Sequence, residues 1–144
     1  MINNIFLPPN QTWKMEPFTG KKEAQMNKKF LLIVTHAHDD PDRANIAWAM
    51  AASLVNEEAD LAMAFMLEGV LFTKKGVAET IAGRNITPVR ELLPVIREAK
   101  VPLFACVPCM KTRGVAEEDL IAGVKPITAP TLAAEMMQRQ VITL

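Results

Sequence analysis

Apolar residues in this chain gather in short blocks divided by polar punctuation, and the blocks alternate in character. Phe30-Leu-Leu-Ile-Val-Thr35 is a compact run with β-branched members, the size of a strand buried on both faces. Asp40-Pro41 follows as a helix N-cap with proline at the first helical position. Residues 42–55 are rich in alanine and predict a helix lying close to a sheet, with Ile46, Ala47, Met50 and Leu54 on one face. Residues 60–67 predict a second strand, and residues 69–74 a short helix. Residues 76–87 carry no clear period beyond a turn at Gly83-Arg84-Asn85. Thr87-Pro88 predicts another helix start, with Pro94 inside the helix as a kink or a late beginning. Residues 101–105 predict a third strand. It ends in Cys106-Val-Pro-Cys109, where Pro108 halts extended pairing, and then in a short basic helical turn. A short helical segment at Glu117-Glu118-Asp119, a strand over 124–128, a helix over 129–138 and a strand over 141–144 complete the series. Strands alternating with helices predict an α/β fold: a three-layer, mostly parallel, doubly wound sheet of about five strands.

Residues 1–27 break this pattern. Pro8-Pro9, Pro17 and Gly20-Lys21-Lys22 interrupt scattered apolar residues, so an N-terminal arm or extension is expected there, with the α/β domain over 28–144. Ile5-Phe6-Leu7 and Trp13 are its candidates for packing on the body or on a neighbouring subunit. The chain has 16 basic and 16 acidic residues, which leaves no electrostatic footprint for nucleic acid and little repulsion against self-association. Two cysteines, three apart, are too few for a secreted disulfide scaffold. The first residues do not read as a signal peptide, and no apolar run approaches the roughly 18 residues of a membrane span. A cytoplasmic location without membrane contact is expected. Neither GxGxxG nor GxxxxGK[ST] occurs, so no nucleotide cofactor is expected.

The chemistry-bearing residues fall where three strands end. In open α/β sheets ligands bind outside the carboxyl ends of the strands, where strand order reverses. His36, His38, Asp39 and Asp40 leave the first strand, Glu68 and Gly69 the second, and Cys106 and Cys109 the third. A thiol at such an end, beside a helix start and the cations Lys111 and Arg113, is placed to be ionised. If the first and third strands are neighbours, a histidine approaches the cysteines and can take a proton from one of them. Plainer readings stand beside these. The cysteines can be two small buried hydrophobes, the histidines loop residues, the aspartates caps and Lys111 a solvated charge. A zinc site needs four ligands, and only His36-x-His38 joined to the cysteines offers them. Two histidines one apart on an extended segment point to opposite sides, so no metal is expected. A dithiol redox role through a Cys106–Cys109 disulfide is a further reading. Against it, the motif comes late in the chain and lacks a flanking tryptophan.

The order of these pieces resembles the DsrE/DsrF/TusD-like family of sulfur-relay proteins. The first strand at residues 29–35, the Asp39-Asp40-Pro41-Asp42-Arg43-Ala44 helix start and Glu68-Gly69-Val70 each have counterparts there. So do Phe104-Ala-Cys106-Val-Pro-Cys109-Met-Lys-Thr-Arg113-Gly114-Val115 and the closing helix and strand. The resemblance covers residues 28–144. It implies a cytoplasmic protein that carries sulfane sulfur as a cysteine persulfide between donor and acceptor proteins, assembled as a homo-oligomer, trimer or hexamer. By its spacing to Arg113-Gly114 the acceptor falls on Cys106, with Cys109 as a second candidate and Arg113 as the supporting cation. Two other readings remain: a non-catalytic oligomeric module for a metal or small ligand, and the dithiol redox protein.

Overall fold

A computed structural model describes residues 28–144. The expectation of an arm over residues 1–27 lies outside the described residues. Five strands, β1 (Lys29–Val34), β2 (Asp60–Phe65), β3 (Leu103–Cys106), β4 (Val124–Ile127) and β5 (Gln140–Thr143), form one sheet in the order β4-β3-β2-β1-β5. Every pairing is parallel, as the alternation of strands with helices requires. The helices are α1 (Pro41–Asn56), α2 (Val89–Glu98), α3 (Val107–Thr112) and α4 (Ala129–Met136), with a 3-10 segment at Leu67–Thr73.

The two faces of the sheet are filled differently. Leu32, Val34, Leu61, Met63, Phe65 and Leu103 point to one face, where they form a single core with α1 and α2. Leu31, Ile33, Ala62, Ala64 and Phe104 point to the other, where Leu132 of α4 joins them. Successive residues alternate between the two cores because side chains on a strand alternate faces. The run of apolar residues in β1 and β2 is therefore continuous because both faces are covered.

Helix α1 corrects one expectation. Its buried residues are Ala44, Asn45, Ala47, Trp48, Ala49, Ala51 and Ala52, whereas Ile46 and Met50 are exposed. The small side chains bring the helix against the sheet, and Trp48 fills the remaining space against Phe65 and Phe72, with ring centroids 5.7 and 5.3 Å away. Asp40 caps α1 as expected: its carboxylate accepts from the Arg43 N–H at 3.1 Å. In α2 the helix begins one residue later than expected, at Val89, with Pro88 in the cap position. Pro94 sits inside α2 on its exposed side, so the carbonyl of Arg90, left without an amide partner, can be satisfied by water. Pro126 is tolerated in β4 because β4 is an edge strand.

Candidate functional site

The exits of β2 and β3 meet. Beyond Phe65 the chain is held to β1 by Met66, whose N–H donates to the carbonyl of Val34 at 3.0 Å. Gly69 presses on the same carbonyl: a Cβ there would lie 2.0 Å from the Val34 oxygen, so only glycine fits. Between them Leu67 takes the left-handed conformation, φ 51°, at a cost of about 1–2 kcal/mol for a residue with a Cβ. This conformation goes with two contacts to α3. The Leu67 N–H donates to Cys109 Sγ at 3.2 Å, and Glu68 Oε1 accepts from Arg113 Nε at 2.8 Å.

Cys106 is the last residue of β3 and the cap position of α3, and Pro108 occupies the first turn of that helix, where its missing N–H costs nothing. One helical turn carries Cys109 back beneath Cys106, among Val70, Ala105, Met110, Val115 and Leu120. Both cysteines are free thiols, Cys106 partly exposed and Cys109 buried. Gly114, at φ 62°, lets the chain leave α3.

The electrostatics of Cys106 differ from the expectation of a readily ionised thiol. Burial pushes its pKa above the ordinary 9.0, and the neighbouring Cys109 side chain pushes the same way. The Cys109 amide and the Arg113 guanidinium pull it down without cancelling the burial. The Glu68 carboxylate draws off part of the Arg113 charge. At neutral pH Cys106 is therefore mostly a thiol, with a cation at hand to favour the thiolate when it forms.

The histidines lie elsewhere. Strand β2 separates β1 from β3, so the adjacency on which a histidine–cysteine contact depended does not occur; two strand spacings amount to about 10 Å. The reversal of strand order falls between β1 and β5, at the histidine loop and away from the thiols. His36 Nδ1 lies 2.6 Å from Asp39 Oδ2, and Arg43 Nη1 lies 3.1 Å from His36 Nε2. An arginine can only donate, so Nε2 accepts and the Nδ1 proton goes to Asp39. Burial pushes Asp39 up, but the Ala37 N–H and the His36 ring outweigh it and leave the carboxyl below its ordinary value. His38 Nε2 contacts Thr80 Oγ1 at 2.9 Å. Hydrogen bonds from Arg84 hold Asp42 below the usual carboxylate range. No group of three or more histidine, cysteine or acidic side chains able to hold a metal gathers among the described residues, so the four-ligand combination of both histidines with both cysteines is not assembled.

Cys106, Cys109, Arg113 and Glu68 thus come together, and Gly69 shapes the loop between them by fitting beneath β1. Lys111 is exposed on α3. The sequence offered no signal for Leu67, whose part rests on a backbone N–H and an unusual φ.

The match with known proteins follows the same span. Residues 28–144 match the DsrE/DsrF-like family. The chain belongs to that family. Its members are sulfur-relay-like proteins, in agreement with the resemblance drawn from the cysteine loop. Among its relatives, the uncharacterized protein MJ0989 of Methanocaldococcus jannaschii is 32% identical over 106 residues, 74% of this chain and 90% of that protein. The uncharacterized protein MK0008 of Methanopyrus kandleri is 30% identical over 97 residues, 67% of this chain and 77% of that protein. Of solved structures, the ychN protein of E. coli superposes with a TM-score of 0.68 at 22% identity, covering 81% of this chain and 99% of its own. MTH1491 of Methanobacterium thermoautotrophicum gives 0.59 at 13% identity, covering 82% and 100%. At those identities the likeness is one of fold, and this family member shares the α/β architecture of both. No helix among the described residues is long and apolar enough to cross a membrane.

Proposed function

We propose that this chain is a sulfur carrier of the relay type, with the Cys106 thiolate as the acceptor of sulfane sulfur. The observation that carries the reading is the pair of free thiols at the end of β3, the outer partly exposed beside Arg113 and the inner held by the Leu67 N–H. The Cys106 thiolate attacks the terminal sulfur of a donor R–S–SH. The donor S–S bond breaks, R–S⁻ leaves with the electron pair and takes up a proton, and Cys106–S–SH results. Arg113 stabilises the anionic sulfur on either side of this exchange. An acceptor thiolate then attacks the terminal sulfur, and the Cys106 thiolate is regenerated. Neither step changes the overall oxidation state.

The closeness of the two thiols also supports a dithiol reading. The Cys109 thiolate attacks Sγ of persulfidated Cys106, hydrosulfide leaves, and a Cys106–Cys109 disulfide remains, which an external dithiol must reduce with two electrons. Copies of the chain assemble through exposed apolar side chains, for which Ile46, Met50, Met136, Met137 and Val141 supply the surface. Donor and acceptor proteins meet the assembly at the thiol corner.

Intact-mass measurement after incubation with a sulfane-sulfur donor tests the carrier reading. The wild type gains about 32 Da, one sulfur on a nucleophilic thiolate. Cys106→Ser does not. A gain retained in Cys106→Ser, or absent from wild type, removes Cys106 as the carrier. Loss of 2 Da with release of sulfide points instead to the dithiol route.

A further inference from the structure

Leu67 combines three properties that no other described residue shares. It is a bulky apolar residue at positive φ, the residue is 54% exposed, and its backbone N–H touches a thiol of the candidate site. Among the described residues the other non-glycine positions at positive φ are Glu58, Asn85 and Lys100. These are polar and follow α1, lie in a turn and follow α2, places where left-handed backbone commonly ends a helix or reverses a chain. Leu67 has no such excuse. Glycine or asparagine would supply the same backbone with less strain, and either would keep the N–H that faces Cys109. Leu67 is not among the residues of the buried clusters around it, whereas Met66 and Leu71 pack there, and just over half of Leu67 faces solvent. A strained backbone that holds an unburied apolar group at a site's edge calls for a use of that group outside the chain.

We infer that Leu67 is a specificity-determining contact, an apolar anchor that favours partner thiols flanked by apolar side chains. The inference rests on the carrier reading for its biological setting, and its chemistry can be tested apart from that reading. Several observations point to a peptide or protein thiol as the occupant. Leu67 lies two residues beyond the end of β2 and touches Cys109 through its backbone, so a partner that covers its side chain comes to the thiol corner. Met66, on the other side of the same turn, packs against both neighbouring cores and holds the loop firm. Glu68 and Arg113 use each other's charge across the gap, so neither of these two ions beside Leu67 asks a partner for a countercharge. A thiol between apolar residues buries Leu67 as it reaches Cys106. A thiol between polar residues would have to desolvate beside it.

Two blocked tripeptides carrying thionitrobenzoate as a mixed disulfide on cysteine, Phe-Cys-Phe and Ser-Cys-Ser, probe this directly. The Cys106 thiolate attacks the peptide sulfur, the S–S bond breaks, and the thionitrobenzoate anion leaves with the electron pair and is read by its absorbance. Wild type is expected to react with the Phe-flanked peptide about fivefold faster than with the Ser-flanked one, the effect of covering roughly half a leucine. In Leu67→Asn, which keeps a residue tolerant of positive φ, the ratio between the two peptides falls to about one, whatever the absolute rates. In Leu67→Met the ratio is restored. Equal rates with wild type, or a preference that survives in Leu67→Asn, overturns the inference. So does a change in solution mass of Leu67→Asn by light scattering, which would make Leu67 a contact between copies of this chain. The mixed-disulfide reaction needs no persulfide. Failure of the carrier reading therefore appears as a missing 32 Da gain (about one sulfur atom) and failure of this inference as a missing ratio.

Discussion

Two corners of the same sheet edge carry nearly all the residues able to do chemistry, and they treat their polar groups in opposite ways. At the exit of β1 the polar groups are engaged with one another: His36 with Asp39 and Arg43, Asp42 with Arg84, His38 with Thr80. Asn45, buried in α1, donates to the Thr87 carbonyl at 2.8 Å and accepts from the Gly83 N–H at 2.7 Å. This corner lies at the reversal of strand order, where a ligand site would be sought first, yet its groups cap a helix and pin a loop. At the exits of β2 and β3 the groups are only partly engaged. Cys106 is partly exposed, and burial holds it above its ordinary pKa. The lesson is that position in the topology invites a site, while incomplete pairing is what leaves a group free to react.

Substitutions at the two corners separate these roles. The largest effect is expected for Cys106→Ser, which abolishes the persulfide mass gain, whereas His36→Gln leaves it; loss in both would erase the distinction between the corners. Next comes Gly69→Ala. Its methyl has backbone oxygen in the way, so urea melts should show a loss of about 3 kcal/mol, the upper end for overpacking. Asn45→Ala should cost about 2 kcal/mol by the same measurement, since it removes two hydrogen bonds made by a buried side chain and strips partners from a part-buried carbonyl and a part-buried amide. Its sulfur loading below the melting transition should stay unchanged.

A smaller effect concerns ionisation. Alkylation of Cys106 by iodoacetamide should rise with pH through a midpoint above 9.0. In Arg113→Gln the lost positive charge moves that midpoint higher and slows alkylation at pH 8. An unchanged profile would mean that Arg113 serves Glu68 alone. The sign for stability follows from the same shift. The folded chain keeps the Cys106 proton at a pH where the unfolded chain loses it. The stabilising contribution is therefore complete below the unfolded value and is lost as pH rises through the folded one. The smallest effect is that of His36→Gln on stability, within about 1 kcal/mol, as for other pairs close to solvent.

Much of the fold was legible in the chain because local causes decide it. The apolar runs of β1 and β2, Asp40-Pro41 before α1, and Pro108 after β3 each act over a few residues, and each appears where it was expected. The inward face of α1 was misjudged because large aliphatic side chains usually mark the buried stripe. Here alanines allow a close approach that leaves room only for Trp48, so Ile46 and Met50 face outward. The cysteine loop could be recognised from its own spacing. Its neighbours could not, since they depend on which strand lies beside which.

The sequence alone therefore determined the alternation of strands and helices, the family to which the cysteine loop points, and the two thiols one helical turn apart. All of these rest on interactions between residues close in the chain. Tertiary structure alone decided that β2, and not β1, lies beside β3. It follows that Glu68 and the Leu67 amide, and not a histidine, complete the thiol corner. It also decided how far the Cys106 thiol is buried, and with it the direction of its pKa. The physical reason is common to both: strand order and solvation are set by contacts between residues some 40 positions apart, and no local pattern encodes them.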